Sequence, residues 1–140
     1  MAGSAGGGSP RRAVSGLDSQ RVAMINAVVE RRGGVKLAES DVFAASVGGV
    51  RIAEPAADFA LALAIASASR DRALPSGLIA LGELGLSGEI RRVGGTGRRL
   101  AEAARQGYTV ALVPEDAGAA PPGMRLVEIP DLGAAFQRLF

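Results

Sequence analysis

The chain has 140 residues, 48% of them apolar and 21% charged, with a formal charge of +2. That length suits one domain with its own core and is too short for two comfortable ones. Histidine and cysteine are missing, which excludes disulfide frameworks, zinc sites built on Cys or His, and nucleophilic mechanisms that need imidazole or thiolate.

Fifteen of the sixteen cations are Arg and only Lys36 is Lys. The planar guanidinium fork suits phosphates and interface carboxylates better than an ammonium does, although codon bias would give the same excess. In chain order, residues 1–14 (MAGSAGGGSPRRAV) have linker or tag composition and are set apart from residues 15–140. They hold no apolar signal-peptide core. Ser15-Gly16-Leu17-Asp18 fits a capping pattern, and Val22, Ile25, Val28 and Val29 then make one apolar helical face that Gly33-Gly34 ends. VKLA (35–38), DVFAASV (41–47) and GGVRI (48–52) read as strands joined by tight turns. Pro55 needs no amide donor in a first helical turn, so a second helix is expected from there to about Arg70. It is apolar almost all round and should be buried on more than one side. Residues 78–93 follow as two extended pieces around Gly85–Gly88. Residues 97–106 form a third helix, YTVALVP and MRLVEI two more strands, and DLGAAFQRLF a closing helix capped by Asp131. Helices alternating with strands predict an α/β (α+β) fold, a mixed sheet with packed helices. The longest apolar run, Phe59 to Ala66, falls short of the ~20 residues that span a bilayer, so a soluble cytoplasmic protein with no membrane partner is expected.

Few residues offer chemistry. GGTGRR (94–99) has neither the spacing nor the lysine of a phosphate loop, and the glycines at 82, 85 and 88 read as a bend. Without His, an activated serine would need a Ser–Lys dyad, and Lys36 is the sole lysine; Ser46 and Ser87 are the serines weighed with it. Glu54, Asp58, Glu83 and Glu89 could divide acid and base roles, but Asp58 at a helix start is explained by the macrodipole. Arg91, Arg92, Arg98, Arg99 and Arg105 crowd one segment and are the candidates for DNA contact. Against that, Arg98 and Glu102 are spaced as i,i+4 partners on a solvated helix face.

Residues 15–139 resemble the C-terminal domain of the RadA (Sms) family of bacterial DNA-repair proteins. The resemblance rests on SGLDSQR (15–21), DVFAASVGGVRIAEPAADFALALAIAS (41–67), GELGLSGEIRRV (82–93) and RRLAEAARQGYTVALVP (98–114). That domain is similar to the proteolytic domain of Lon protease, so the resemblance implies a Lon-like, ribosomal protein S5 domain 2-like architecture. In Lon-type peptidases a nucleophilic serine opens the helix that here starts Glu54-Pro55-Ala56-Ala57-Asp58, which puts Ala56 in its place. The register of the dyad lysine reads Gly94-Gly95-Thr96-Gly97, which puts Gly97 there. The resemblance thus implies a degenerate dyad and a non-catalytic scaffold. It further implies a hexameric homo-oligomer acting in homologous recombination and branch migration on single-stranded or branched DNA. ATP, Mg and Zn would belong only to upstream modules of the parent ATPase, leaving no cofactor in this domain. The alternatives are a residual Ser–Lys peptidase and a protein-interaction adaptor.

Overall fold

The computed structural model describes residues 2–4 and 10–140. The strands fall into three groups with four helices packed on them, and the fold is α/β. Strand β1 (Ala2–Ser4) and strand β2 (Arg12–Ser15) flank β3 (Ser40–Ala45), β1 antiparallel and β2 parallel to it. Composition placed these leading residues in a linker, yet Arg12 pairs with Val42 and Val14 with Ala44. Alternating burial of Val42 and Ala44 on β3 gives β2 a half-apolar neighbour to pair with. Arg12 adds a hydrogen bond to the Leu37 carbonyl at 2.8 Å.

Helix α1 (Ser19–Gly33) is capped by Asp18, whose carboxylate accepts from the amides of Gln20 and Arg21. Ser15, the capping residue expected from the sequence, ends β2 instead. Gly34 stops the helix in the left-handed region at φ 70°. The run expected as the strand VKLA forms no ladder and passes into a turn at Ala38. Val35 and Leu37 are buried, but the Leu37 amide donates to Glu30 Oε1 at 2.8 Å, so a side chain does the work of a strand partner. GGVRI is likewise no strand. A 3-10 turn at Val47–Gly49 and a single bridge between Leu17 and Ile52 stand there, and the Ser46 hydroxyl closes the turn on the Val50 carbonyl.

A 3-10 turn at Pro55–Ala57 leads into α2 (Asp58–Arg70), whose Phe59, Ala62, Leu63, Ile65 and Ala66 are buried. Strand β4 (Leu78–Ala80) comes next, then the antiparallel pair β5 (Glu83–Leu84) and β6 (Ile90–Arg91) around the glycine bend. Helix α3 (Thr96–Arg105), β7 (Val110–Val113), β8 (Arg125–Glu128) and α4 (Leu132–Leu139), capped by Asp131, complete the chain. Strands β4, β7 and β8 form an all-parallel group in that order.

The main core joins α1, α2 and α4 to β3 and β7 through Ile25, Val29, Phe59, Leu63 and Leu132. A second cluster holds Leu100 of α3 against Ala111 and Val113 of β7, with Ala56 and Leu81. Ala56 therefore sits at the junction of α2, α3 and the parallel strands.

Candidate functional site

The approach to α2 is fixed by the backbone. Ile52 donates to the Gly16 carbonyl at 2.7 Å, and Ala57 to Glu54 at 3.1 Å. Gly82 donates to the Ala56 carbonyl at 3.1 Å, and Phe59 donates back to Gly82 at 3.1 Å. These two bonds lay residues 56–59 along the strand segment leading into β5. Ala56, only 5% exposed, turns its methyl into the second cluster beside Leu81 and Leu100. Gly97 is exposed in the first turn of α3, and a Cβ there would meet nothing within 4 Å.

An ion pair ties the two segments together. Arg99 of α3 places Nη1 3.0 Å from Glu54 Oε2 and Nη2 3.1 Å from Glu54 Oε1, and its Nε donates to the Gly94 carbonyl at 3.0 Å. The fork thus grips a carboxylate and a loop carbonyl together. Hydrogen bonding to Arg99, more than bare charge, holds the Glu54 carboxyl below its ordinary range and raises Arg99 above its own.

On the other side of α2, Asp58 is 2% exposed and accepts three hydrogen bonds. Arg21 Nε and Nη2 donate at 2.7 and 2.6 Å, and the Leu84 amide donates at 3.1 Å. The macrodipole reading of Asp58 is therefore replaced by a buried pair that joins α1, α2 and β5. Hydrogen bonding to Asp58 raises Arg21 above its ordinary value. The chain of charges continues outward through Arg21 to Glu83 at 3.3 Å, and from Arg91 to Glu89 at 2.8 Å and to Glu83 at 4.0 Å. Sequence reasoning missed Arg21. An acid opening an otherwise apolar helix was the available signal, since a carboxylate there needs a cation once it is buried.

The five arginines singled out by their crowding divide. Arg91 pairs with Glu89, Arg99 with Glu54, and Arg105 with Glu102. The expected Arg98–Glu102 pair does not form. Glu102 takes Arg105 and the Gln106 side-chain amide, which leaves Arg92 and Arg98 without an ion pair among the described residues.

Lys36 is exposed and makes no hydrogen bond or ion pair among the described residues. The Ser46 hydroxyl is committed to Val50, and Ser87 donates its backbone amide to Glu89 at 3.1 Å. No cluster of three or more metal-ligating side chains occurs among the described residues, and no helix there is long and apolar enough to cross a membrane.

A groove of about 390 Å³ runs between α1 and β2, lined in part by Arg12, Val14, Asn26 and Glu30. Asn26 Oδ1 is buried there without a hydrogen-bond partner.

The family described as subunit ChlI of Mg-chelatase matches residues 44–117, which run from the end of β3 through α2 and α3 to the loop after β7. DNA repair protein RadA of Mycobacterium tuberculosis (strain ATCC 25618 / H37Rv) is 50% identical over 131 residues, covering 94% of this chain and 27% of that protein. The Escherichia coli (strain K12) RadA is 44% identical over 129 residues, 91% of this chain and 28% of that protein. The Pseudomonas aeruginosa RadA is 42% identical over 134 residues, 94% and 30%. The chain spans less than a third of each of these relatives. With just over half of its length inside the family match and nearly all of it aligned to these relatives, the chain belongs to the family described as subunit ChlI of Mg-chelatase and is similar to one segment of DNA repair protein RadA.

Proposed function

We propose that this chain is a non-catalytic, Lon-like scaffold domain of a RadA-type DNA repair ATPase. It spans residues 15–140 with the strand β2 added at its front. In this reading it holds neighbouring copies in a hexameric ring in the cytoplasm and contacts single-stranded or branched DNA during recombination. ATP hydrolysis and metal binding belong to parts of the longer protein outside this span. The observation that carries the reading is Ala56: where a nucleophile would open α2, a methyl group is packed among Leu81, Leu100 and Val113. The Arg99–Glu54 clamp supports it by joining α3 to the approach to α2, beside the exposed Gly97. Of the arginine candidates, Arg92 and Arg98 have forks free for phosphate. Arg91, Arg99 and Arg105 would first have to leave their carboxylates.

A fluorophosphonate probe applied to the purified chain tests the absence of an activated serine. The expected result is no labelling. Labelling that vanishes in Lys36→Ala would overturn the scaffold reading in favour of a Ser–Lys peptidase using Ser46 or Ser87. Solution mass on a sizing column, with and without branched DNA, then separates a DNA-associated assembly from a protein adaptor.

A further inference from the structure

Among the described residues, strand β2 has one neighbour, β3, and its other side is an open edge. The carbonyls of Arg11 and Ser15 accept from the amides of Val42 and Ser46 at 2.9 and 3.0 Å. In this parallel register the backbone groups alternate in direction, so the amides and carbonyls of Arg12 and Val14 point away from β3. No described residue pairs with them. The next outward carbonyl, that of Gly16, is taken. The turn at Val47–Gly49 carries the chain round the end of β2, and Ile52 donates to Gly16 at 2.7 Å. A single parallel bridge, Leu17 to Ile52, thus extends the sheet on this side, and the two outward residues before it stay unmatched. Charge usually guards such an edge. Here Arg12, the one charged residue of β2, folds its guanidinium back onto the carbonyls of Leu37 and Ser40 and leaves the edge clear.

Beside the edge lies the groove of about 390 Å³ between α1 and β2, walled in part by Val14, Val22 and Val42. Asn26 is 8% exposed on that wall, and its Oδ1 has no hydrogen-bond partner. A buried amide oxygen left bare costs the fold stability. Arg12, the cation of the groove, spends its donors on backbone carbonyls, and Glu30 accepts from the Leu37 amide, so neither serves Asn26.

From these two features we infer that the open edge of β2 and the groove behind it bind an extended peptide segment of a protein partner, added to the sheet as a further strand. The occupant must both donate and accept at a repeat of two residues, about 6.6 Å, and must bring one more donor to Asn26. A helix has spent its backbone groups internally, and phosphates offer acceptors alone. An extended peptide supplies both kinds of group in alternation. Its side chains on the groove side would stand beside Arg12 and Val14, where an apolar stem ending in an N–H donor, as in Gln, lies against Val22 and reaches Asn26 Oδ1. Those on the other side would stand beside Ala13 and Phe43, both exposed on the opposite sheet face, and suit β-branched residues. This contact needs neither DNA nor a ring, so it stands apart from the scaffold reading.

The probe is fluorescein-labelled Val-Gln-Val-Gln-Val amide, long enough to lie along residues 11–15, titrated with the whole chain and read by fluorescence anisotropy. Val14→Pro deletes one outward amide without touching the bonds to β3, since Pro is tolerated on an edge. Asn26→Leu deletes the unmatched acceptor. Each should weaken binding about fivefold, the worth of one hydrogen bond. Asn26→Leu should leave Tm unchanged or higher, because the polar atom it removes has no partner to lose. Methylating the peptide's amide nitrogens should weaken binding when placed on one alternating set of residues and not on the other, because an added strand turns only one set toward β2. That pair of peptides decides the matter if Val14→Pro does not fold. No binding by the unmutated chain, wild-type affinity in either folded variant, or equal effects from the two methylated sets overturns the inference. A lower Tm for Asn26→Leu would make Asn26 a support of the fold and overturn it too. A dimer on a sizing column that Val14→Pro dissociates would mean that a second copy occupies the edge, and the inference fails.

Discussion

Replacing Arg21 by Met tests how much of the fold depends on the buried charge at the start of α2. Met keeps most of the apolar stem but removes both guanidinium donors, 2.7 and 2.6 Å from Asp58. The carboxylate, 2% exposed, is then left with the Leu84 amide at 3.1 Å. Stripping one partner from a buried pair costs about 3–5 kcal/mol. Arg21 has a side chain 29% exposed, so water can partly take its place and the expected loss lies near the lower end, about 3 kcal/mol. For a domain of this size that corresponds to a fall of roughly 10 °C in Tm. Urea unfolding followed by circular dichroism should show a lower midpoint at unchanged slope. Adding Asp58→Asn to the Arg21→Met background should restore about 1–2 kcal/mol, because a buried neutral amide costs less than a buried lone carboxylate. A loss below about 1 kcal/mol for Arg21→Met, the size of an exposed pair, or a double variant no better than the single, would refute the reasoning.

The Arg99–Glu54 clamp predicts an acid limb. The Glu54 carboxyl is held below its ordinary value of 4.5 in the folded chain, so the folded state binds fewer protons than the unfolded one in that window. Its stabilisation is present above pH 4.5 and is lost as pH falls through the lower folded value. The stability gap between wild type and Glu54→Gln, measured by urea unfolding from pH 6 downward, should accordingly narrow as the solution is acidified; a gap that widens would reverse the assignment. Ala56→Ser should gain no hydrolysis of a casein substrate and should lose about 1 kcal/mol in thermal unfolding, since the new hydroxyl enters an apolar cluster; measurable cleavage would defeat the claim that no base reaches it. Gly16→Ala should cost about 2–3 kcal/mol, because Gly16 has φ 74° and a Cβ would stand 2.1 Å from Ser46 Oγ and 2.8 Å from the Val50 carbonyl. A Gly16→Ala protein with the wild-type urea midpoint would show that this turn is free to shift.

Local rules made α2, α3, β7, β8 and the Asp131 cap legible in the sequence, because each is announced by a proline, a glycine stop or an apolar run within ten residues. The misreadings arose where a side chain replaced a backbone partner. Val35 and Leu37 alternate in burial as a strand would, but Glu30 and Arg12 satisfy the Leu37 amide and carbonyl. Arg12–Ser15 looked like the tail of a linker because pairing with β3, some thirty residues on, leaves no local trace. The site was half legible. Ala56 and Gly97 are singled out only by the resemblance to Lon-type peptidases and belong to the proposal, whereas the Arg21–Asp58 bond joins residues 37 apart and leaves no local trace. The Arg98–Glu102 expectation failed for a local reason: Arg105 and Gln106 compete for the same carboxylate from the next turn.

Strand β2 runs parallel to β3 along Val42–Ala45, and β1 pairs with Ser40–Val42 from the other side. A parallel strand must enter the sheet at the end where its neighbour begins. A segment spliced between Ser4 and Pro10 is therefore leashed near Ser40, and β3 separates it, by about 20 Å at ~3.3 Å per residue, from the Val47–Val50 tip. A fluorophore, an affinity handle or a fused domain inserted there would leave that tip unobstructed, and a cut placed after Val14 would take most of a sheet strand with it.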